Sequence, residues 1–276
     1  MCDSHLADAL RAKIDTKTKP LGALGRLESL AFEVGTILGT TNPTLTSPTI
    51  VIFAGDHGIA AEGVSAFPSE VTAQMVAKFS AGGAAINVFA RQNGLALRIV
   101  DAGVAAPLAT GDGIDHRKVA PGTRNCLVEP AMTHAEVAQA LAHGSAIIAE
   151  LRASGCNVVG FGEMGIANTS AAALLMALTL DLPIDRCVGA GTGLDGAGLS
   201  HKRAVLERAL NRATAALGDD RSAAAVLAEC GGLEIAMMVG AMVEAAQRRM
   251  IILVDGFIAT SAVLVAQTSN ADVRRH

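Results

Sequence analysis

The stretch VVGFGEMGIANTSAAALLMAL, residues 158–178, decides how this chain is read. Val158 and Val159 lead into Gly160-x-Gly162-x-x-Gly165, and an alanine- and leucine-rich helix follows. Strand, glycine turn and helix are the repeating unit of a parallel α/β sheet. The glycine spacing lets a backbone approach a phosphate at a helix N-terminus. Glu163, however, sits inside the turn, where its charge would face a pyrophosphate. A second match, Gly191-Thr192-Gly193-Leu194-Asp195-Gly196, shows how readily the pattern arises among 29 glycines. A dinucleotide site would also place its first loop near the start of the fold, whereas this one follows two strands. A single phosphate held by backbone N–H groups, with Glu163 turned toward another part of the ligand, fits better. The alternative is that the glycines only permit close helix–strand packing.

Working outward, short β-rich runs recur, each ending in a glycine turn and followed by a helical pattern. They are TIVIFA (49–54), LRIVD (97–101), CNVVGF (156–161), RCVGA (186–190) and IILVD (251–255). Near-continuous apolar strands alternating with helices indicate a parallel sheet covered by helices on both faces, a Rossmann-like α/β domain. Ligands in such folds bind beyond the carboxyl ends of the strands. Residues 5–15 and 24–38 read as helices, so 1–45 is expected to form a small helical domain and 46–276 the α/β domain. Residues 105–130, rich in Gly, Pro and Asp, read as a long surface loop.

Composition bounds the function. Of 276 residues 51% are hydrophobic, the mean hydropathy is +0.41 and the net charge is −4. Trp and Tyr are absent and no Lys/Arg cluster pairs with stacking aromatics, so a nucleic-acid platform is not expected. The five cysteines are scattered without a C-x-x-C, the usage of a reduced cytoplasmic protein rather than a disulfide framework or zinc site. The longest apolar stretch is broken by Asp255 and Gly256, so no membrane span is expected.

Among candidate residues, Asp56-His57 at a strand end could suggest a metal pair. Adjacent side chains diverge, though, and no further ligand has suitable spacing, so no metal is expected. Asp56 reads better as a hydrogen-bonding loop organiser, and His57 as a satisfied, partly buried histidine. Lys202 taken alone reads as a surface residue. Asp255 ends an apolar strand, where it either faces a ligand or caps the next helix.

Six blocks carry a resemblance: KPLGALGRLESLA (19–31), FAGDHGIAAEGVSAFPSEVTAQMV (53–76), GEMGIANTSAAALL (162–175), VGAGTGLDGAGLSHK (188–202), GGLEIAMMVGAM (231–242) and VDGFIATSA (254–262). In this order they resemble the nicotinate-nucleotide:dimethylbenzimidazole phosphoribosyltransferase family over nearly the whole chain. The resemblance implies phosphoribose transfer from nicotinate mononucleotide to 5,6-dimethylbenzimidazole, with inversion at the anomeric carbon, in cobalamin biosynthesis. It implies a homodimer and no cofactor. It places Glu163 at the reacting ribose, with Met164, Gly165, Gly191, Thr192, Lys202, Asp255 and Gly256 as substrate-binding residues. Phe67, Pro68, Gln74 and Met75 would form the aromatic-base pocket, and Asp56 would support the site. Some relatives have Ser and Gln where Phe67 and Met75 stand, which points to a less polar base. The family also carries a C-terminal Arg-Leu-Gly-Glu-Gly motif, whose glutamate is its proposed general base. The 276 residues end at NADVRRH without it, so a reduced rate is expected, with a non-catalytic binding protein or transfer to another aromatic acceptor as the alternatives.

Overall fold

The computed structural model describes residues 4–109, 113–191 and 193–276. Two helices, α1 (Ser4–Asp15) and α2 (Arg26–Leu38), come first. Next are β1 (Thr49–Gly55), α3 (Glu70–Ser80), α4 (Ala85–Gln92), β2 (Ala96–Gly103) and β3 (Ile114–His116). Then α5 (His134–Ala153), β4 (Val158–Met164) and α6 (Asn168–Leu180) lead to α7 (Gly196–Leu217) and α8 (Ala223–Cys230). The chain closes with α9 (Leu233–Gln247), β5 (Ile251–Leu253) and α10 (Phe257–Ser269).

The strands form one sheet in the order β3-β2-β1-β4-β5, and every pairing is parallel. The order reverses between β1 and β4, so the crevice beyond their carboxyl ends is the topological switch point. Alternate residues point to opposite faces. Val51, Phe53, Val100, Val159 and Phe161 join the large core with α5, α6, α8, α9 and α10. Ile52, Ala54 and Ile99 meet Val76 and Phe79 of α3 and Ala84 at the entry to α4.

Helix α6 is apolar on every side and buried along most of its length, as such a composition requires. Helix α9 is buried likewise, and it crosses α5 at very short range. A Cβ on Gly240 would stand 2.1 Å from the Leu141 carbonyl oxygen, and one on Gly144 1.9 Å from that of Met237. That contact fixes α9, and with it Glu234 in its first turn, under the sheet. Helix α2 packs Ile37 against Val158 and Ile251, and Arg249 donates to the Ile37 and Thr36 carbonyls at 3.0 Å. Among the described residues no helix is long and apolar enough to cross a membrane.

Three expectations are corrected. RCVGA (186–190) is no strand: a 3-10 turn covers Ile184–Arg186, and Cys187 and Val188 pack into the core beside α6 and α7. The fifth strand comes instead from Ile114–His116, inside the segment read as a surface loop, where Cys126 and Leu127 are also buried. Strand β4 runs on to Met164, pairing Phe53 with Glu163 and Ala54 with Met164. Gly160, Gly162 and Glu163 therefore belong to the strand, and of the three glycines only Gly165 lies in the turn. Pairing to the long apolar β1 outweighed the strand-weakening glycines.

Candidate active site

The carboxyl ends of β1 and β4 bring the ionisable groups together. Asp56, just past β1, accepts the Ala105 N–H at 2.8 Å on Oδ2. Its own N–H donates to the Gly103 carbonyl, and its carbonyl accepts from Thr123. It ties three segments together, the organising role read from the sequence. His57 points elsewhere. It is buried, with Nε2 2.7 Å from Glu234 Oε1. Burial alone would lower the His57 pKa, but the charge and hydrogen bond of Glu234 outweigh it and raise it.

Glu163 stands at the end of β4. Its Oε2 accepts a hydrogen bond from Asn168 Nδ2, at the start of α6. The turn between them includes Ala167 in the left-handed region, at φ 72°, a conformation that costs a non-glycine residue about 1 kcal/mol or more. The Ile166 N–H is held by Thr72 Oγ1 at 3.1 Å. Burial pushes the Glu163 carboxyl up to about 7, and the negative charge of Glu234 adds to this; the Asn168 hydrogen bond and His57 oppose it. A carboxyl that titrates near neutrality can exchange a proton at physiological pH.

Lys202 is not the surface residue its lone position suggested, being 1% exposed. Asp195 caps α7 by accepting the Gly198 N–H at 2.7 Å, and Lys202 follows in the second turn. Its Nζ donates to Thr169 Oγ1 at 2.8 Å rather than pairing with Glu163. Burial pulls its ammonium down to about 8. A Cβ on Gly191 would stand 3.1 Å from that Nζ, so the 190s turn lies over the lysine. Thr192 lies outside the described residues.

A cavity of about 610 Å³ opens over the α3 face of the sheet. Glu163, Asp255, Gly256 and Met75 line it together with Gly160, Gly162 and Phe79. Asp255 is not the cap of α10: the N-cap position is Gly256, which has no side chain to cap with. Phe67, Pro68 and Gln74 are exposed and do not line this cavity; Met164 packs with the α3 core and Gly165 is buried in the turn. Sequence reasoning assigned no role to Glu234, Asn168 or Thr169 and gave His57 only a bland one. Glu234 did carry a signal: a lone charge in the apolar run LEIAMMVGAM needs a buried partner.

A parallel α/β sheet with a near-neutral carboxyl at its switch point belongs to the class of proteins that take a ligand beyond the carboxyl ends of the strands. The chain belongs to the phosphoribosyltransferase family, whose model matches residues 1–276. It is 59% identical over 274 residues to a nicotinate-nucleotide–dimethylbenzimidazole phosphoribosyltransferase of Cupriavidus necator, covering 99% of this chain and 78% of that one. The protein of that name from Dechloromonas aromatica is 57% identical over 264 residues, 96% of this chain and 76% of that one. The crystal structure of CobT from Thermus thermophilus superposes with a TM-score of 0.93 at 40% identity, covering 99% of this chain and 80% of that one.

Proposed function

We propose that this chain transfers phosphoribose from nicotinate mononucleotide to 5,6-dimethylbenzimidazole, releasing nicotinate and α-ribazole 5′-phosphate in cobalamin biosynthesis. The observation that carries the reading is Glu163, a carboxyl near neutrality at the switch point beside a cavity. The bond between the nicotinate nitrogen and C1′ breaks with its electron pair passing to the ring, which leaves as neutral pyridine. A benzimidazole nitrogen attacks C1′ from the opposite face, so the anomeric centre inverts. Ionised Glu163 stabilises the positive charge developing on the ribose, and the proton that the benzimidazole loses passes to solvent. Lys202, with the N–H groups around Gly165 and Gly191, holds the phosphate. Asp255 and Gly256 flank the ribose, and Met75 lies against the base.

The same reading makes the protein a cytoplasmic homodimer with a Rossmann-like domain (46–276) and helices 1–45 as part of a smaller one. Met75, an apolar side chain on the cavity wall, favours a second reading in which a less polar aromatic acceptor competes with dimethylbenzimidazole. Mass spectrometry of products from a panel of benzimidazoles, purines and phenols tests both. Ribotide formation with dimethylbenzimidazole is expected. Product with another acceptor class alone supports the second reading, and binding without product makes this a binding protein.

A further inference from the structure

A buried ion pair lies beneath the strand ends, and the glycines around it leave it room. His57 is 3% exposed and Glu234 0%, with Nε2 and Oε1 2.7 Å apart. A Cβ on Gly232 would stand 2.4 Å from His57 Cε1 and 2.6 Å from Glu234 Oε2. One on Gly55 would lie 3.0 Å from the same oxygen, and one on Gly165 3.4 Å from His57 Cδ2. Gly165 is two residues past Glu163, so the pair is pressed against the backbone that carries the candidate catalytic carboxyl. Glu234 Oε2 has no hydrogen-bond partner among the described residues. A buried ion pair is weak evidence for stability, because removing two charges from water offsets their attraction. Its place here calls for another role.

We propose that His57 and Glu234 form a positioning pair, packed against the turn that follows Glu163, that acts through that carboxyl. This rests on the transfer reaction above only for what Glu163 then does. Four influences converge on Glu163. Burial disfavours its anion, the negative charge of Glu234 disfavours it further, and the Asn168 hydrogen bond with the positive charge of His57 opposes both. Glu234 sits in the first turn of α9, where the helix dipole favours its charge. The other ionisable groups nearby are Asp56 on the His57 turn, Asp255 on the cavity wall, Cys126 beside His57, and Lys202, which reaches Thr169 from α7. The elements packed on the far side, α3 and the start of α6, present neutral Thr72, Met75 and Asn168.

The variant that tests this is Glu234→Gln, which keeps the shape and can still accept the Nε2–H of a neutral His57. Its effect is read by carboxyl ¹³C NMR titration of Glu163. In the native chain the midpoint is expected near 7. In the variant it should move to lower pH, because both charges of the pair are lost and that of Glu234 has the greater influence on Glu163. An unmoved or raised midpoint in the folded variant would overturn the proposal. Should the variant not fold, the native His57 ring decides by ¹⁵N NMR. At pH 6.5 most of it should carry both protons, since its pKa is raised above the ordinary 6.5, and a mostly neutral ring would overturn the pair. Neither readout needs turnover. Absence of product from the native chain would therefore count against the proposed reaction and leave the pair to be judged on these titrations. Where turnover is present, the pH at which kcat rises should follow the Glu163 midpoint in both proteins, a shift that a purely structural role would not produce.

Discussion

Residues 160–165 and 191–196 share the Gly-x-Gly-x-x-Gly spacing, and the structure gives the two copies different physics. In the first, Gly160 and Gly162 are strand residues beneath the cavity, and a Cβ on Gly165 would meet the Gly55 carbonyl oxygen at 2.3 Å. In the second, Gly191 and Gly193 take φ values of 58° and 100°, and nothing lies within 4 Å of a Cβ on Gly193 or Gly196. In the first copy close packing requires Gly165; in the second the backbone conformation at Gly191 and Gly193 shapes an exposed turn over Lys202, and Gly196 is under neither constraint. The spacing alone does not say which of its glycines exclude a side chain, or why.

The comparison can be broken at each copy. The largest effect is expected from Glu163→Gln in the first, which should lower turnover by roughly 10²–10³-fold with little change in nucleotide affinity. Steady-state kinetics on the folded variant would check it, and an unchanged kcat would make Glu163 a loop-organising carboxyl. Next comes Gly165→Ala. Its nearest obstacle is backbone, the Gly55 carbonyl oxygen at 2.3 Å, so a loss of about 1–3 kcal/mol is expected in denaturant unfolding. Lys202→Met, beneath the second copy, should weaken nicotinate mononucleotide binding by about 10- to 100-fold, the loss of one charge-assisted hydrogen bond, and leave base binding alone. Calorimetric titration with each ligand separates the two. At the small end, Gly196→Ala at the first position of α7 meets open space and should change stability by no more than about 0.5 kcal/mol.

The raised acid also gives the first copy a pH signature with a definite sign. The folded chain holds the Glu163 proton up to about 7, against an ordinary value of 4.5, so stability conferred by that proton falls as pH rises through this window. Glu163→Gln should therefore raise Tm relative to the native chain at pH 8 and change it little at pH 4. Turnover runs the other way, rising with pH through about 7 as the carboxylate forms.

Much of the architecture was legible because apolar runs ending in glycine are what a doubly covered parallel sheet demands. The runs at 49–54, 97–101 and 251–255 became β1, β2 and β5. The misreadings have local causes. Cys187 and Val188 are apolar for packing against helices, and pairing alone distinguishes that from a strand. Ile114–His116 is too short for any pattern to show. At the candidate site, Glu163 stood out from the glycine spacing itself, whereas the residues taken singly left the buried Lys202 on the surface and only the resemblance moved it. His57 and Glu234 stand 177 positions apart, and no local spacing could join them. Only the crossing of α5 and α9, which sets α9 under β1, makes them neighbours.

Transfer is expected at the carboxyl end of β4, between the two glycine copies. The most direct measurement is a crystal structure with nicotinate mononucleotide bound. The ribose is expected against Glu163 and the phosphate within hydrogen-bond reach of Lys202 and the turn at Gly191. A nucleotide bound with neither Glu163 nor Lys202 in contact would contradict it.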